Sequence, residues 1–180
     1  MRFPSTRGGE TAQSFLDALQ RSIAADGGLF VPETFPDLSG LRLAPLALLG
    51  AEIADRFMEL PLDPAAICRA AFDFPIPLVE LKDKTAVLEL FHGPSCAFKD
   101  VGARFLAECL SSVRASGPSR SAKTTILVAT SGDTGGAVAA AFWKRAGFDV
   151  IILFPEGKVS ERQERQLTAW GDNVRAFALK

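Results

Sequence analysis

A single lysine stands in an apolar setting in the segment "ELFHGPSCAFKDVGARF", Glu89 to Phe105. Lys99 follows Phe98, which we expect to be buried, and precedes an acid, Asp100. If Lys99 begins a buried helix, the positive end of the helix and desolvation both disfavour the ammonium form. A neutral amine is the nucleophile that Schiff-base chemistry requires. The alternative is a lysine whose amine extends from a helix start into solvent.

Two neighbours of Lys99 carry other reactive groups. Ser95 suggests a serine–lysine nucleophilic pair, although the Ser-x-x-Lys spacing is missed by one residue. His92 is the single histidine of the chain, and the sequence suggests no acid partner for it. Such a histidine is more often a hydrogen-bonded structural imidazole than a base. Both residues are kept as possible members of a site.

The segment "ATSGDTGGA", Ala129 to Ala137, joins a predicted strand to a predicted helix. Small residues let backbone amides approach a ligand, and a helix N-terminus attracts an anion. Ser131, Thr134 and the amides of Gly132 to Gly135 are therefore predicted to hold a carboxylate or phosphate. The alternative is a tight turn in which Ser131 or Asp133 caps the helix. The glycine spacing fits neither a dinucleotide fingerprint nor a P-loop.

A second corner, "FPEGKVS", follows the next predicted strand. It places Lys158 and Ser160 at the same sheet edge as Ser131, where a cation and a hydroxyl at a helix start suit a second anion. The alternative is a solvated lysine beside an N-capping serine. The two corners together favour a site more than either does alone.

The elements that position these residues alternate regularly from about Lys84 onward. "TAVLEL" predicts a short strand, and the segment after Lys99 predicts a helix that is apolar on more than one side, hence buried, and that ends at "SGPSR". Strand–helix alternation then predicts parallel pairing, with ligands beyond the carboxyl ends of the strands. The strands are "TTILVAT", "DVIILF" and "NVRAFALK", and the helices are "TGGAVAAAFWKRAG", closed by Gly147, and "VSERQERQLTAWG". Because the last strand has no helix after it, we expect an incomplete α/β domain.

The first half of the chain is predicted to be mostly helical. Phe15, Leu19 and Ile23 are predicted to share one face of a helix that ends at Asp26-Gly27-Gly28. Two more helices are predicted in "PLALLGAEIADRFMEL" and in "DPAAICRAAFDF", and "FPIPLVELKDK" is interpreted as a linker. The predicted fold class is α/β, with a mostly helical N-terminal domain (residues 1–83) before an incomplete parallel α/β domain (residues 84–180).

Composition excludes several classes of function. With 48% hydrophobic residues the chain suits a packed globule, and 20 basic against 21 acidic residues leave no basic surplus for nucleic acid. The apolar runs are too short for a membrane span, and because "MRFPSTRGGETAQSF" lacks an apolar segment we do not expect it to be a secretory signal. Three scattered cysteines (Cys68, Cys96 and Cys109) predict neither a disulfide framework nor a metal site, so we expect a cytoplasmic protein with small core or near-site thiols.

Four segments in one order give the chain a family resemblance. They are "STRGGETAQSFLDALQRSIAADGGLFVPE", "ELFHGPSCAFKDVGARF", "ATSGDTGGAVAAAF" and "ILFPEGKVSERQERQLTAWGDNV", and they span almost the whole chain. The chain resembles the threonine synthase family, fold-type II pyridoxal-phosphate enzymes related to the tryptophan synthase β-subunit. The strings "FHGP…AFKD" and "TSGDTG" are the most specific part of the resemblance.

The resemblance implies a role for each candidate residue. Lys99 matches the lysine that binds pyridoxal 5'-phosphate covalently and later transfers protons at Cα and Cβ of the substrate. Ser131 to Thr134 match the loop that holds the substrate carboxylate, and Asp133 stands where relatives often place an asparagine near the cofactor ring hydroxyl. Lys158 and Ser160 match the region that recognises the substrate phosphate. Ser95 replaces a usual threonine and keeps its hydroxyl, and Cys96 replaces a usual apolar residue.

The reaction that the resemblance implies converts O-phospho-L-homoserine and water to L-threonine and phosphate. In that family the loop for the cofactor phosphate and the hydroxyl facing the pyridine nitrogen lie beyond position 180. We therefore expect these residues to be an N-terminal portion of the enzyme, with weak cofactor binding and no turnover alone. The alternatives are another fold-type II enzyme, such as a cysteine synthase or threonine deaminase, and a non-catalytic truncated homologue that acts as a binding module. No nucleic-acid or membrane partner is expected.

Overall fold

A computed structural model describes residues 1–42, 44–59, 61–117 and 123–180. The chain forms two compact units, Met1–Ala70 and Ala71–Lys180. The division into functional domains after residue 83 stays a prediction.

The described part of the N-terminal half of the chain contains three helices and a small two-stranded sheet. The strands β1 (Phe3–Pro4) and β2 (Thr11–Ala12) pair antiparallel, and they are followed by helices α1 (Phe15–Arg21), α2 (Leu46–Asp55) and α3 (Pro64–Ala71). Ser14 caps α1 by accepting the backbone N–H of Asp17 at 3.0 Å.

Helix α1 is shorter than its apolar spacing predicts. It ends where Ser22 adopts a φ of 61° and donates its N–H to the carbonyl oxygen of Ala18. Ile23 then pairs with Leu29 in an isolated antiparallel bridge and is 61% exposed. The prediction that Ile23 shares a helical face is therefore wrong, because backbone pairing with Leu29 takes the place of another helical turn.

The interpretation of "FPIPLVELKDK" as a linker is also wrong. Strand β3 (Leu78–Glu80) pairs antiparallel with β4 (Ala86–Leu88), which confirms the strand predicted in "TAVLEL". The hairpin turns at Asp83 and Lys84, whose φ angles are 60° and 59°. Aspartate tolerates this left-handed region better than most residues. The two prolines of this segment suggested irregular structure, but strand β3 begins directly after the second of them.

The remaining elements of the C-terminal unit form a parallel three-stranded sheet with helices. In chain order they are α4 (Lys99–Ser116), β5 (Thr124–Ala129), α5 (Asp133–Phe142), β6 (Phe148–Pro155), α6 (Glu161–Thr168) and β7 (Val174–Leu179). The strand order is β5-β6-β7, and both pairs of neighbours are parallel. The predicted parallel α/β fold is confirmed.

The core of this unit lies on one face of β6. Residues Phe148, Val150, Ile152 and Phe154 alternate with half-exposed residues, and all four are buried. Phe142 of α5, Leu167 of α6 and Ala107 of α4 belong to the same buried cluster. The period-two pattern of β6 therefore fixes which face the helices cover.

Two helix predictions need correction. Helix α4 buries Asp100, Ala107 and Cys109, but Leu106 is 38% exposed, so the helix is only partly buried. Helix α5 ends at Phe142, and Gly147 instead begins the approach to β6 with a φ of 85°. The predicted end of α4 at "SGPSR" falls partly on residues 118–122, which lie outside the described residues.

Candidate active site

Lys99 is the first residue of α4, and its side chain is half-buried. Its Nζ lies 4.1 Å from the centroid of the Phe98 ring, the geometry of a cation–π contact. Phe98 itself is 61% exposed, so the prediction that it is buried is wrong. The ring covers the amine from outside instead of packing inward.

Lys99 faces a cleft of about 490 Å³ with an apolar lining. Thr134, at the start of α5, provides the other polar side chain of this lining. The structure thus brings two of the predicted site residues to one cleft, which we call the Lys99 cleft. Its remaining lining comes from Leu90, Phe98, Val101, Gly102, Ala103, Leu106 and Val138.

The loop before Lys99 contains a buried polar network. The carboxylate of Asp100, 0% exposed, accepts a hydrogen bond from Ser95 Oγ at 2.7 Å and another from Ser95 N–H at 2.9 Å. The serine hydroxyl is therefore engaged with an acid and not with Lys99. This contact does not support a serine–lysine nucleophilic pair.

His92 has an acid partner that its sequence neighbourhood did not reveal. Its Nε2 lies 2.6 Å from Oε2 of Glu89, three residues earlier, and its ring packs against Phe91. His92 is exposed and is absent from the lining of the Lys99 cleft. The expectation of no nearby acid was wrong, because the Glu89 side chain contacts the ring. A role for His92 in a site stays a prediction.

Thr130, and not Ser131 or Asp133, supports the turn into α5. Its Oγ1 accepts the N–H groups of Gly132 at 3.1 Å and Gly135 at 3.3 Å, and donates to the carbonyl oxygen of Gly132 at 3.0 Å. The alternative of capping by Ser131 or Asp133 is therefore wrong.

The other side chains of this loop are available for a ligand. Ser131, Asp133 and Thr134 are exposed and have no hydrogen-bond partner within the part of the chain that the structure describes. Ser131 lies against a second cavity of about 370 Å³ at the carboxyl ends of the three strands. Thr134 faces the Lys99 cleft. The loop thus borders both cavities.

The second predicted corner is built as a helix start. Ser160 is the N-cap of α6: its Oγ accepts the N–H of Gln163 at 3.3 Å, while its own N–H donates to Gln163 Oε1 at 3.2 Å. This reciprocal pattern is a capping box. Lys158 is exposed and has no ion-pair partner among the described residues. The cavities that Lys99 and Ser131 line do not include Lys158 or Ser160.

Gln163 links this second corner to the first. A Cβ built on Gly132 would lie 2.7 Å from Gln163 Nε2, so the end of that side chain lies directly against the loop. Glycine at position 132 leaves room for it. Sequence reasoning missed Gln163, Thr130 and Asp100. Thr130 and Gln163 could have been found as a hydroxyl and an amide near a helix start. Asp100 could have been found as the acid that follows Lys99.

The described residues contain neither a metal-binding cluster nor a membrane-spanning helix. No group of three or more histidine, cysteine or acidic side chains there is placed to hold a metal ion. None of the helices in those ranges is both long and apolar enough to cross a membrane. Among the thiols, Cys68 and Cys109 are buried and Cys96 is exposed, and burial raises the pKa of Cys68.

Two family models match the chain. A family model described as "Pyridoxal-phosphate dependent enzyme" matches residues 73–178. The chain belongs to the pyridoxal-phosphate dependent enzyme family. A second model, described as "Threonine synthase N terminus", matches residues 2–68. The resemblance to the N-terminal portion of threonine synthases, drawn from four sequence segments, is confirmed.

Individual relatives show the same likeness. Threonine synthase of Haemophilus influenzae is 42% identical over 178 residues, which cover 94% of this chain and 40% of the relative. The crystal structure of the Escherichia coli enzyme matches with a TM-score of 0.84 and 34% identity over 99% of this chain and 42% of that one. The structure of PLP-bound threonine synthase from Brucella melitensis matches with a TM-score of 0.85 and 38% identity, covering 99% and 41%. The chain therefore spans about two-fifths of the length of these relatives.

Proposed function

We propose that the complete product of the reading frame containing these residues is a threonine synthase. It converts O-phospho-L-homoserine and water to L-threonine and phosphate with pyridoxal 5'-phosphate as cofactor. The observation that carries the proposal is the union of two parts in one chain: a threonine synthase N terminus at residues 2–68 and a lysine on an apolar cleft at the start of α4. The first part argues against other pyridoxal-phosphate enzymes.

The Lys99 cleft has the chemistry that the cofactor requires. An aromatic aldehyde needs an amine to bind it and apolar walls to pack against its ring, and the described lining offers one amine among mainly aliphatic side chains. Lys99 would hold the cofactor, and Asp133 would lie toward the hydroxyl of its ring. When bound, the cofactor supplies an electron sink for deprotonation beside the amino group.

The chain's own residues divide the remaining tasks. The Lys99 amine would accept and return protons at Cα and Cβ of the substrate, since a flexible amine reaches both atoms. Ser131, Gly132 and Thr134 bind the substrate carboxylate through hydroxyls and amides at the positive end of α5. This role is supported because the hydroxyls of Ser131 and Thr134 have no hydrogen-bond partner among the described residues.

Lys158 and Ser160 bind the substrate phosphate in this proposal. A lysine without an ion pair among the described residues at the start of α6 favours a dianion. The Ser160 hydroxyl, which caps the helix and donates to Gln163 Oε1 at 3.1 Å, would turn its proton to the phosphate when substrate binds. We further propose a cytoplasmic location, with the small-molecule substrate as partner.

A direct test uses the complete gene product. We expect phosphate and threonine from O-phospho-L-homoserine, no conversion of O-acetylserine or threonine, and a borohydride-trapped cofactor on the peptide containing Lys99. Lys99→Ala removes both the trap and the turnover. A trapped cofactor on another lysine, or preference for acetylserine, contradicts the proposal.

We expect the 180 residues expressed alone to bind the cofactor weakly and to turn over no substrate. They span about two-fifths of the relatives' length, and the loop for the cofactor phosphate is expected beyond them. Titration of cofactor absorbance, with Lys99→Ala as the control, measures the binding. Threonine formation by these residues alone contradicts this expectation.

A further inference from the structure

Asp100 is a fully buried acid next to the proposed catalytic lysine. A buried carboxyl group is costly unless hydrogen bonds replace its water. Both of its oxygens accept hydrogen bonds from Ser95, at 2.7 Å and 2.9 Å. Its place in the first turn of α4 is also favourable for negative charge. The carboxylate is thereby fixed between its own helix and the preceding loop.

Gly93 also packs against the Asp100 carboxylate. A Cβ at this position would lie 2.5 Å from Asp100 Oδ2, so only a glycine allows this approach. The carbonyl oxygen of Gly93 accepts the N–H of Cys96 at 3.0 Å, which closes the turn. Cys96 has a φ of 57°, an uncommon conformation outside glycine. The loop is thus built around the carboxylate immediately before the chain reaches Lys99.

Lys99 lies between two fixed points of this arrangement. After Lys99, the backbone N–H of Asp100 donates to the carbonyl oxygen of Ala97 at 3.0 Å. Before Lys99, Ser95 is held by its hydrogen bond to the Asp100 side chain. The side chain of Lys99 takes no part in the network and lines the cleft. A fixed main chain reduces the number of orientations that a reacting amine samples.

We propose that Asp100 is a positioning residue, which acts through Ser95 to hold the main chain of Lys99 so that the amine faces the cleft. The catalytic consequence rests on the proposed function, whereas the positioning itself rests on the buried contacts alone.

Five variants of the complete gene product test this role. Asp100→Asn replaces one acceptor oxygen with a donor, Ser95→Ala removes the hydroxyl, and Ser95→Thr retains it. Gly93→Ala places a Cβ too close to Asp100 Oδ2. Its control is Gly40→Ala, where a Cβ has nothing within 4 Å. Thermal melting identifies the variants that are folded at the assay temperature.

The decisive measurement is trace acetylation of the cofactor-free protein, read by mass spectrometry as the ratio of Lys99 to exposed Lys82. A loosened loop exposes Lys99 while Lys82 is unaffected, so the ratio rises about threefold or more in Ser95→Ala and Asp100→Asn. It stays at the wild-type value in Ser95→Thr. A second measurement is cofactor trapped by borohydride on Lys99, which falls about tenfold in the same two variants because the amine is less well oriented.

An unchanged acetylation ratio in Ser95→Ala overturns the inference, even where the wild-type protein makes threonine. If Asp100→Asn does not fold, Ser95→Ala against Ser95→Thr decides. If the wild-type protein binds no cofactor at Lys99, the proposed function fails, and a raised ratio in Ser95→Ala still supports positioning by Asp100.

Discussion

Asp26 organises the first turns of the chain through its carboxylate. It accepts hydrogen bonds from Ser5 Oγ at 2.7 Å, Gly28 N–H at 2.8 Å and Gly9 N–H at 2.9 Å. The Ser5 hydroxyl, followed by the Gly28 amide, holds the pKa of Asp26 below its ordinary value of 3.8, although desolvation opposes them. A carboxylate whose pKa is lowered on folding stabilises the protein above its unfolded pKa, and the effect is lost as pH falls through the folded value.

We therefore expect Asp26→Asn to lower the free energy of unfolding at pH 7 and to weaken its dependence on pH below about 4. Urea unfolding of both proteins between pH 7 and pH 3 measures this. The control is Asp55→Asn, because Asp55 has no hydrogen-bond partner for its side chain within the described ranges. Parallel curves for the wild type and Asp26→Asn, with a constant separation at every pH, contradict the assignment.

Lys99 shows what residue types reveal and what they do not. Its position after "HGPSCAF" predicted a reactive amine, but Phe98, which was expected to be buried, is exposed, and its other neighbour, Asp100, is the buried one. Hydrophobic residues are buried on average, but here the hydrogen bond from Ser95 favours burial of Asp100 over burial of Phe98.

At the level of elements, the two glycines that follow Thr134 in α5 have different neighbours. A Cβ at Gly135 would lie 2.5 Å from both Leu167 Cδ2 and Thr130 Cγ2, and 3.2 Å from Ile152 Cγ2. A Cβ at Gly136 meets only Gln166 Cβ, at an ordinary 3.8 Å. Packing therefore requires glycine at one position and tolerates alanine at the next.

We expect Gly135→Ala to destabilise the protein by about 1–3 kcal/mol through overpacking. Gly136→Ala, its matched control in the same helix, gains up to about 1 kcal/mol from reduced backbone entropy. Chemical denaturation of the two variants measures both changes. Equal effects of the two substitutions contradict the packing argument.

The capping box of α6 allows the proposed phosphate role of Ser160 to be separated from its structural one. Asparagine and aspartate both serve well at an N-cap, but only aspartate adds negative charge. We expect Ser160→Asn and Ser160→Asp to unfold at similar denaturant concentrations, within about 1 kcal/mol of the wild type.

In the complete gene product, Ser160→Asp raises the KM for O-phospho-L-homoserine about tenfold more than Ser160→Asn does, through repulsion of the phosphate. Steady-state kinetics with both variants measures the difference. Equal KM values for the two variants leave Ser160 as a helix cap alone and remove it from the proposed phosphate site.

At the scale of the whole molecule, one face of the parallel sheet remains open in the described residues. The helices cover the face of β6 that carries Val150 and Ile152, while Leu127 of β5 and Phe177 of β7, on the other face, are 65% and 49% exposed. Parallel sheets are normally covered on both faces. Strands β5 and β7 are also the two edges of this sheet.

We expect the 180 residues expressed alone to bind a fluorescent apolar dye and to self-associate as concentration rises, because apolar edges and faces favour such contacts. Leu127→Lys places a charge on the open face and reduces both signals, whereas Thr124→Lys, on the same strand, serves as the control. Dye fluorescence measures the exposed apolar surface, and sedimentation measures self-association. If Leu127→Lys binds dye and self-associates as much as the unsubstituted 180 residues do, the open face is not the cause.

The sequence by itself determined the parallel α/β order, the candidate lysine and the family. They follow from the spacing of apolar residues along each element, from small residues where strands lead into helices, and from the order of the family motifs. Tertiary structure alone decided that Asp100 is buried on Ser95, that Thr130 supports the turn into α5 and that Gln163 lies against Gly132. It also decided that β3 and β4 form a hairpin and not a linker. Such contacts depend on which groups meet across the fold, and hydrogen bonds and close packing select among neighbours that local patterns leave equivalent.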